Sequence, residues 1–448
     1  MAPMRDSGIP KLGRIPAHWK VWRLRFLLDG IEQGWSPQCD NYPAGPEEWG
    51  VLKTGCVNGD RFDETENKRL PDDLHPRVAY EIHPGDFLMS RANTTALVGS
   101  AALVREVRPR LLLCDKLYRL RVDHRRLDPA FLEMFLNTPV GRYEFERDAT
   151  GASGSMQNIS QDAVRNLWIA LPKLGIQRAI VDYLDAETAR IDALIAAKEK
   201  LLTILAEKRR AVITQAVTRG LDPSVPMRES GVPWLGEIPA HWQVFRLKFL
   251  LDGIEQGWSP QCDNYPAEPD EWGVLKTGCV NSDTFDEDEN KRLPDDLEPR
   301  PELEVRDWDF LMSRANTTSL VGSAAVVRTV RPRLMLCDKL YRLRVRDERL
   351  HRLFLELFFN SPVGRQEFER DASGASGSMQ NISQESVRNI WLAVPPLDEQ
   401  HRIIEATHAL TRRLDQVRDA ASRTMVLLRE RREAIIAAAV TGQLDVEA

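Results

Sequence analysis

A chain of 448 residues with 42% apolar content can bury several ordinary cores, and no run of about 18 apolar residues offers a membrane span. Its net charge of −6 excludes a uniformly basic nucleic-acid coat, so a polyanionic partner would have to meet a local concentration of cations. The six cysteines form no C-x-x-C pair, which argues against a zinc site and for free thiols in a reducing, cytoplasmic setting. The opening Met1-Ala2-Pro3-Met4-Arg5-Asp6 lacks the apolar core of a signal peptide.

In chain order, the first segment is a proline-punctuated lead-in, Gly8-Ile9-Pro10-Lys11-Leu12-Gly13-Arg14-Ile15-Pro16-Ala17-His18-Trp19. Strands are predicted at 51–54, 87–90, 100–104 and 116–122, each an apolar or β-branched run bounded by Gly, Pro or Asp. A helix is predicted at 129–137, with Asp128 as its N-cap. After Pro172 the pattern changes: from Ile176 to Val217 there is neither Gly nor Pro. A 4,3 seam runs through Ile180, Leu184, Glu187, Ile191, Leu194, Lys198, Leu201, Leu205, Lys208 and Val212. A helix of about 40 residues is roughly 60 Å long and needs a partner.

The partner is offered by duplication. Residues 8–220 recur as 231–443, so that Ile31-Glu32-Gln33-Gly34-Trp35-Ser36-Pro37 returns as Ile254 to Pro260. A period this long marks a duplicated domain rather than a solenoid. The second helix carries an equivalent seam from Ile403 to Ile435, and antiparallel pairing of the two helices is expected. A parallel pair, or separate docking of each helix on its own domain, is the alternative. The expected segments are 1–172, a first head with its lead-in; 173–220, a long helix; 221–395, a second head; and 396–448, a second long helix and tail.

Charge is polarised within each repeat. Residues 105–126 carry Arg105, Arg108, Arg110, Lys116, Arg119, Arg121, Arg125 and Arg126 against Glu106, Asp115 and Asp123, and the second copy repeats the bias. This stretch is expected to meet phosphates. Catalytic signatures are missing: there is no G-x-x-x-x-G-K-[ST], H-E-x-x-H or G-x-S-x-G. Glu66-Asn67-Lys68 and Glu289-Asn290-Lys291 look like half of a metal-dependent nuclease centre, but Pro71-Asp72 follows where the acid should precede. The chain is therefore read as non-catalytic, with no metal.

Two polar loops recur almost unaltered. Ser90-Arg91-Ala92-Asn93-Thr94-Thr95 returns as Ser313 to Thr318, giving Ser313, Arg314, Asn316 and Thr317. Gly151-Ala152-Ser153-Gly154-Ser155-Met156-Gln157-Asn158-Ile159-Ser160 returns from Gly374, giving Ser378, Gln380 and Asn381. Arg reads guanine with a bidentate guanidinium, Asn and Gln read adenine, and hydroxyls meet phosphates. The second loop has an equal structural reading, in which Asn158-Ile159-Ser160 caps the next helix. Lys53, Lys116, Tyr118 and Arg119, with Lys276, Lys339 and Tyr341 in the second copy, lie on or beside strands and are candidates for lining a groove.

Together these residues resemble the specificity subunit of type I restriction–modification systems. The resemblance rests on the Gly-Ile-Pro-x-Leu-Gly-x-Ile-Pro-x-His-Trp opening, on Gly85-Asp86-Phe87-Leu88-Met89-Ser90-Arg91, on Val394-Pro395-Pro396-Leu397-Asp398-Glu399-Gln400, and on the ending from Arg432 to Asp445. It covers nearly the whole chain. Copy one departs from it at Lys173-Leu174-Gly175-Ile176-Gln177, where the acid before Gln is missing. The resemblance implies an α+β fold of two mixed α/β target recognition domains joined by two long antiparallel coiled-coil helices, with pseudo-twofold symmetry. It implies double-stranded DNA as ligand, with two methyltransferase subunits and restriction (translocase/endonuclease) subunits as partners. S-adenosylmethionine, ATP and Mg belong to those partners, and this chain is expected to bind no cofactor itself. Because the heads are near copies, the expected target is a bipartite inverted repeat. A stand-alone DNA-binding regulator and a nuclease built on Glu66 and Lys68 are the other classes.

Overall fold

The computed structural model describes every residue except 1, 2, 10, 60, 154, 155, 282, 283, 377, 378, 447 and 448. The chain divides into two compact units, Met1–Lys198 with Ser422–Ala448, and Glu199–Ala421. The division cuts both long helices, Leu174–Arg219 and Leu397–Val440. Each unit thus holds one head, the first part of the helix that follows that head, and the last part of the other helix.

In the first head the central sheet is antiparallel, in the order Leu28–Gln33, Leu117–Val122, Phe87–Ser90, Ala101–Leu103. Its central strand Phe87–Ser90 is buried throughout, and strand alternation sends its side chains into two different cores. Phe87 and Met89 join Tyr118, Leu120 and Val122 in one core, with Phe131 and Phe135 of the helix Pro129–Leu136. Leu88 and Leu117 join the other, with Val51, Cys56 and Leu112. That second core rests on a three-stranded sheet in which Gly50–Leu52 lies between Leu111–Leu112, parallel, and Asn67–Arg69, antiparallel. Asp128 caps its helix as the sequence predicts, accepting from Ala130 N–H at 2.9 Å. The second head repeats these elements, with a central sheet in the order Leu251–Gln256, Leu340–Val345, Phe310–Ser313, Ala324–Val326.

The long helices close the larger cores. Ile180 and Leu184 from the first helix and Ala439 and Val440 from the second are buried in the first unit. Ile213, Ala216 and Val217 from the first and Ile403 and Ile404 from the second are buried in the other. In the first unit Arg432 pairs with Asp192 at 3.1 Å, so the start of one helix meets the end of the other there, in antiparallel sense. The seam differs from the expected heptad in its middle. Leu194 and its twin Val417 are about half exposed, although both fall on the 3.5-residue pattern. An α-helix turns every 3.6 residues, so a strict heptad drifts off the contact face unless the helix supercoils. After Ile191 the next half-buried positions are Ile195, Lys198, Leu201 and Leu202, so Ile195 takes the place expected for Leu194.

Gly34 fixes a close crossing in the unchanged run. A Cβ placed there would land on the Leu113 carbonyl, which accepts the neighbouring Trp35 N–H at 3.0 Å. Gly257 meets Leu336 in the same way. Gly34→Ala is therefore expected to destabilise the first unit by about 2–3 kcal/mol through overpacking against backbone, measured by urea denaturation. Gly30→Ala, where a Cβ has open space, serves as the control.

Candidate nucleic-acid interface

The two polar loops, far apart in sequence, meet in one small sheet. Ala92–Asn93 pairs antiparallel with Met156–Asn158, which sets Gln157 opposite Asn93 and Asn158 opposite Ala92. Thr150–Ser153 completes the sheet on the other edge. Arg91 ties it to the central sheet: its N–H donates to the Lys116 carbonyl at 2.9 Å, and its carbonyl accepts from Ile159 N–H at 2.9 Å. The second head builds the same sheet, with Gln380 opposite Asn316 and Asn381 opposite Ala315. Ser160 does cap the helix Gln161–Asn166, accepting from Ala163 N–H at 3.1 Å. The capping reading of that loop therefore holds at Ser160.

The candidate side chains sort into three groups. Lys116 and Lys339 are exposed, and their ammonium groups make no ion pair among the described residues. Arg91, Gln157, Asn158 and their twins Arg314, Gln380 and Asn381 are half-buried, the Gln and Asn on the middle strand of the small sheet and the Arg just before its edge strand. Arg91 has one long contact, to the Asp115 carbonyl at 3.5 Å, and Arg314 has its equivalent to Asp338 at 3.3 Å. Asn93 is a strut: its amide donates to Asn58 Oδ1 at 2.8 Å and to Ser90 Oγ at 3.3 Å, while its Oδ1 accepts from Thr94 N–H. Asn316 does the same with Asn281, Ser313 and Thr317. Thr94 is exposed and Thr317 half-buried.

Several expected contacts lie elsewhere. Tyr118 and Tyr341 are core residues whose hydroxyls donate to the carbonyls of Ile159 and Ile382, at 3.0 and 3.2 Å. An aromatic ring on the inward face of a strand takes the core whatever its polar tip. Ser90 and Ser313 are fully buried beneath the Asn struts. Lys53 and Lys276 are held by Glu66 and Glu289, at 3.0 and 3.1 Å. Glu66 thus faces Lys53, while Lys68 reaches Asn41. Among the described residues no group of three or more His, Cys, Asp or Glu could hold a metal. Ser155 and Ser378 lie outside the described residues. Sequence reading missed Asn58 with Asn281, and Gln33 with Gln256, whose amide donates to the carbonyl of Asp115 or Asp338. Gln33 lies in the unchanged run and Asn58 just after Cys56-Val57, and only the long-range pairing reveals their contacts.

The basic stretch is not an open phosphate surface. Arg119 is 3% exposed, and its guanidinium binds Glu32 at 2.6 Å, Asp86 at 3.1 Å and the carbonyls of Ala79 and Glu81. Arg121 uses the same two carboxylates. Arg105 pairs with Glu133, Arg110 with Glu47, and Arg125 and Arg126 with Asp123. Arg108 is engaged by the carbonyls of Ala44, Glu48 and Pro109. A one-dimensional charge count cannot see acids that arrive from other segments. Lys116 is the exposed Lys or Arg of residues 105–126 held by neither an acid nor a carbonyl among the described residues.

Burial pushes the Glu32 carboxyl up, but hydrogen bonds from Arg121 and Arg119 outweigh it and hold the group below its ordinary value. Glu255 is lowered in the same way by Arg344 and Arg342. A lowered folded-state pKa contributes stability above the unfolded value, lost as pH falls through the folded one. The urea midpoint of the chain should therefore fall between about pH 5 and pH 3, and fall less in a Glu32→Gln, Glu255→Gln double variant that starts lower at neutral pH. An equal fall in both would remove these carboxylates from the acid response.

Relatives and solved structures share this architecture. The chain is 31% identical over 220 residues to the type I restriction enzyme EcoEI specificity subunit of Escherichia coli, a match covering 49% of this chain and 37% of that protein. It is 22% identical to the EcoKI specificity subunit of Escherichia coli K12 over 97% of this chain and 91% of that one. No family model matches. A chain from a structure concerning assembly and conformational transition of the type I R-M system superposes with a TM-score of 0.71, at 18% identity, over 96% of this chain and 99% of that one. The HsdS subunit from Thermoanaerobacter tengcongensis gives 0.54, at 18% identity, over 96% and 98%. At these identities the superpositions speak for the fold.

Proposed function

We infer that this chain, which belongs to the specificity subunits of type I restriction–modification systems, is the part of such a complex that chooses the DNA sequence. The observation that carries the reading is the small sheet of each head, where two distant loops bring Arg91, Gln157 and Asn158 together near a Lys116 that makes no ion pair among the described residues. Guanidinium and carboxamide groups carry the donor and acceptor pairs that distinguish guanine and adenine in the major groove. The ammonium group supplies a phosphate contact that fixes register. Asn93, with both ends of its amide engaged, holds the loop's shape and is not assigned to a base.

The second head has the same residue at every one of these positions: Arg314, Gln380, Asn381 and Lys339. Like sheets read like half-sites, so the target is bipartite with matching halves. An inverted arrangement is supported by the reciprocal make-up of the two units, each of which takes the last part of the other head's helix. The complex would complete itself with two methyltransferase subunits using S-adenosylmethionine and with restriction subunits using ATP and Mg. The specificity subunit contributes selection and scaffolding, and no reaction chemistry.

A methylome of the host should show one bipartite motif whose halves are reverse complements; two unrelated halves would refute the matching-sheet argument. Arg91→Ala is expected to relax preference at one or two positions of one half-site, by about 1–3 kcal/mol each, and Arg314→Ala in the other half-site, read by competition binding of the assembled methyltransferase. Lys116→Ala should instead weaken all sequences alike and reduce the salt slope by about one. A chain that co-purifies with no methyltransferase would favour the stand-alone regulator.

A further inference from the structure

A cavity of about 550 Å³ opens within the second unit, between the segments of the two long helices that belong to it, the helix Arg352–Phe359 and the loop after the strand Ala324–Val326. Its volume is that of a small-molecule site. Arg209, Arg328, Arg412 and His408 line it, with Phe285 and Ile213 as apolar walls. Hydroxyls of Thr284, Thr329 and Thr411 complete the polar lining. The carboxylate among the described lining residues is Glu356, which already accepts from Val326 N–H at 2.6 Å. Asp286 and Glu287 border a smaller depression beyond Thr284 and Phe285, and Glu287 is engaged by Arg331 N–H.

Two of these cations lack the acids that their kind has elsewhere in the chain. Arg328 makes no ion pair among the described residues, whereas its twin Arg105 holds Glu133 at 2.8 Å. Arg412 donates only to the His408 carbonyl, at 3.2 Å. The copies, nearly identical in the small sheet, diverge around this cavity. Where the second unit has Thr284, Thr329, His408 and Arg412, the first has Arg61, Glu106, Asp185 and Ala189. In the first unit Arg105 pairs with Glu133 and Arg432 with Asp192, and Glu106 and Asp185 add two carboxylates beside Arg61; in the second Arg209 is engaged, and Arg328 and Arg412 have Glu356 as the lining carboxylate.

We propose that this cavity is a binding site for a small polyphosphate-bearing anion, a nucleoside polyphosphate or free polyphosphate, and that only the second unit has it. Guanidiniums converging on a half-open cavity with hydroxyl donors match the geometry of phosphate oxygens. Phe285 and Ile213 provide an apolar wall for a base, which free polyphosphate would leave unused. Burial and the nearby Arg328 and Arg412 push the His408 imidazole below its ordinary value, the response of a group among uncompensated positive charge. The site does not depend on the DNA-reading assignment and would stand if that failed.

Titration calorimetry of the full chain with tripolyphosphate, and separately with ATP without metal, tests it. One saturable site is expected for the wild type. The triple variant T329E/H408D/R412A, which transplants residues the same fold carries in the first unit, should lose about tenfold or more in affinity while melting as the wild type does. Tighter binding of ATP than of tripolyphosphate would identify a nucleotide site, and equal binding a site for phosphate alone. If the triple variant melts early, Arg328→Gln at the exposed mouth carries the same expectation. Absence of saturable binding at millimolar ligand, or unchanged affinity in the variants, overturns the proposal. So does a loss of duplex affinity in the variants with no tripolyphosphate binding by the wild type, since the cations would then serve the DNA backbone.

Discussion

Arg119 is the constraint on which each head depends. Its guanidinium, almost sealed from water, joins Glu32 of one strand, Asp86 at the entry to the next and two carbonyls of the intervening loop. A buried ion pair of this kind adds little net stability, because desolvation offsets most of the attraction, but removing one partner leaves a stranded charge. Its structural consequence is register. The strand that carries Arg119 presents Tyr118 to the opposite core, where the hydroxyl holds Ile159, and begins just after Lys116, whose carbonyl receives Arg91. A one-residue slip of that strand would exchange Tyr118 and Arg119 between faces and dismantle the small sheet with it.

The duplication behaves differently at different places. In the small sheet the two heads keep the same residues and nearly the same hydrogen bonds, down to the Asn93–Asn58 and Asn316–Asn281 pairs. Around the helices they have diverged: Asp128 and Arg178 of one copy stand where His351 and His401 pack edge to edge in the other. Divergence is tolerated where the helices pack, while the small sheets stay duplicated.

Much of this was legible in the sequence, for identifiable reasons. The 223-residue repeat, the long Gly- and Pro-free helices and the Asp128 cap are local signals, and the folded chain carries all three. The two loops were found because polar residues recurred right after an apolar strand; that they share a sheet depends on pairing between residues 93 and 157, which no local pattern encodes. Tyr118, Arg119 and Ser90 are polar by type, yet their strands are buried on both faces there, so alternation gives them no solvent side; Lys53 is taken by Glu66 from another strand. The seam at Leu194 went astray because a heptad approximates a helix only over a few turns.

The fate of the arginines bears on how such a chain can bind DNA at all. A basic stretch mostly neutralised by its own fold leaves Lys116 as its exposed cation without an ion pair among the described residues. Electrostatic affinity scales with the number of phosphates neutralised, so this stretch by itself adds little non-specific binding. Weak background attraction is an advantage for discrimination, because the ratio of specific to non-specific binding decides whether a site is found among many competitors.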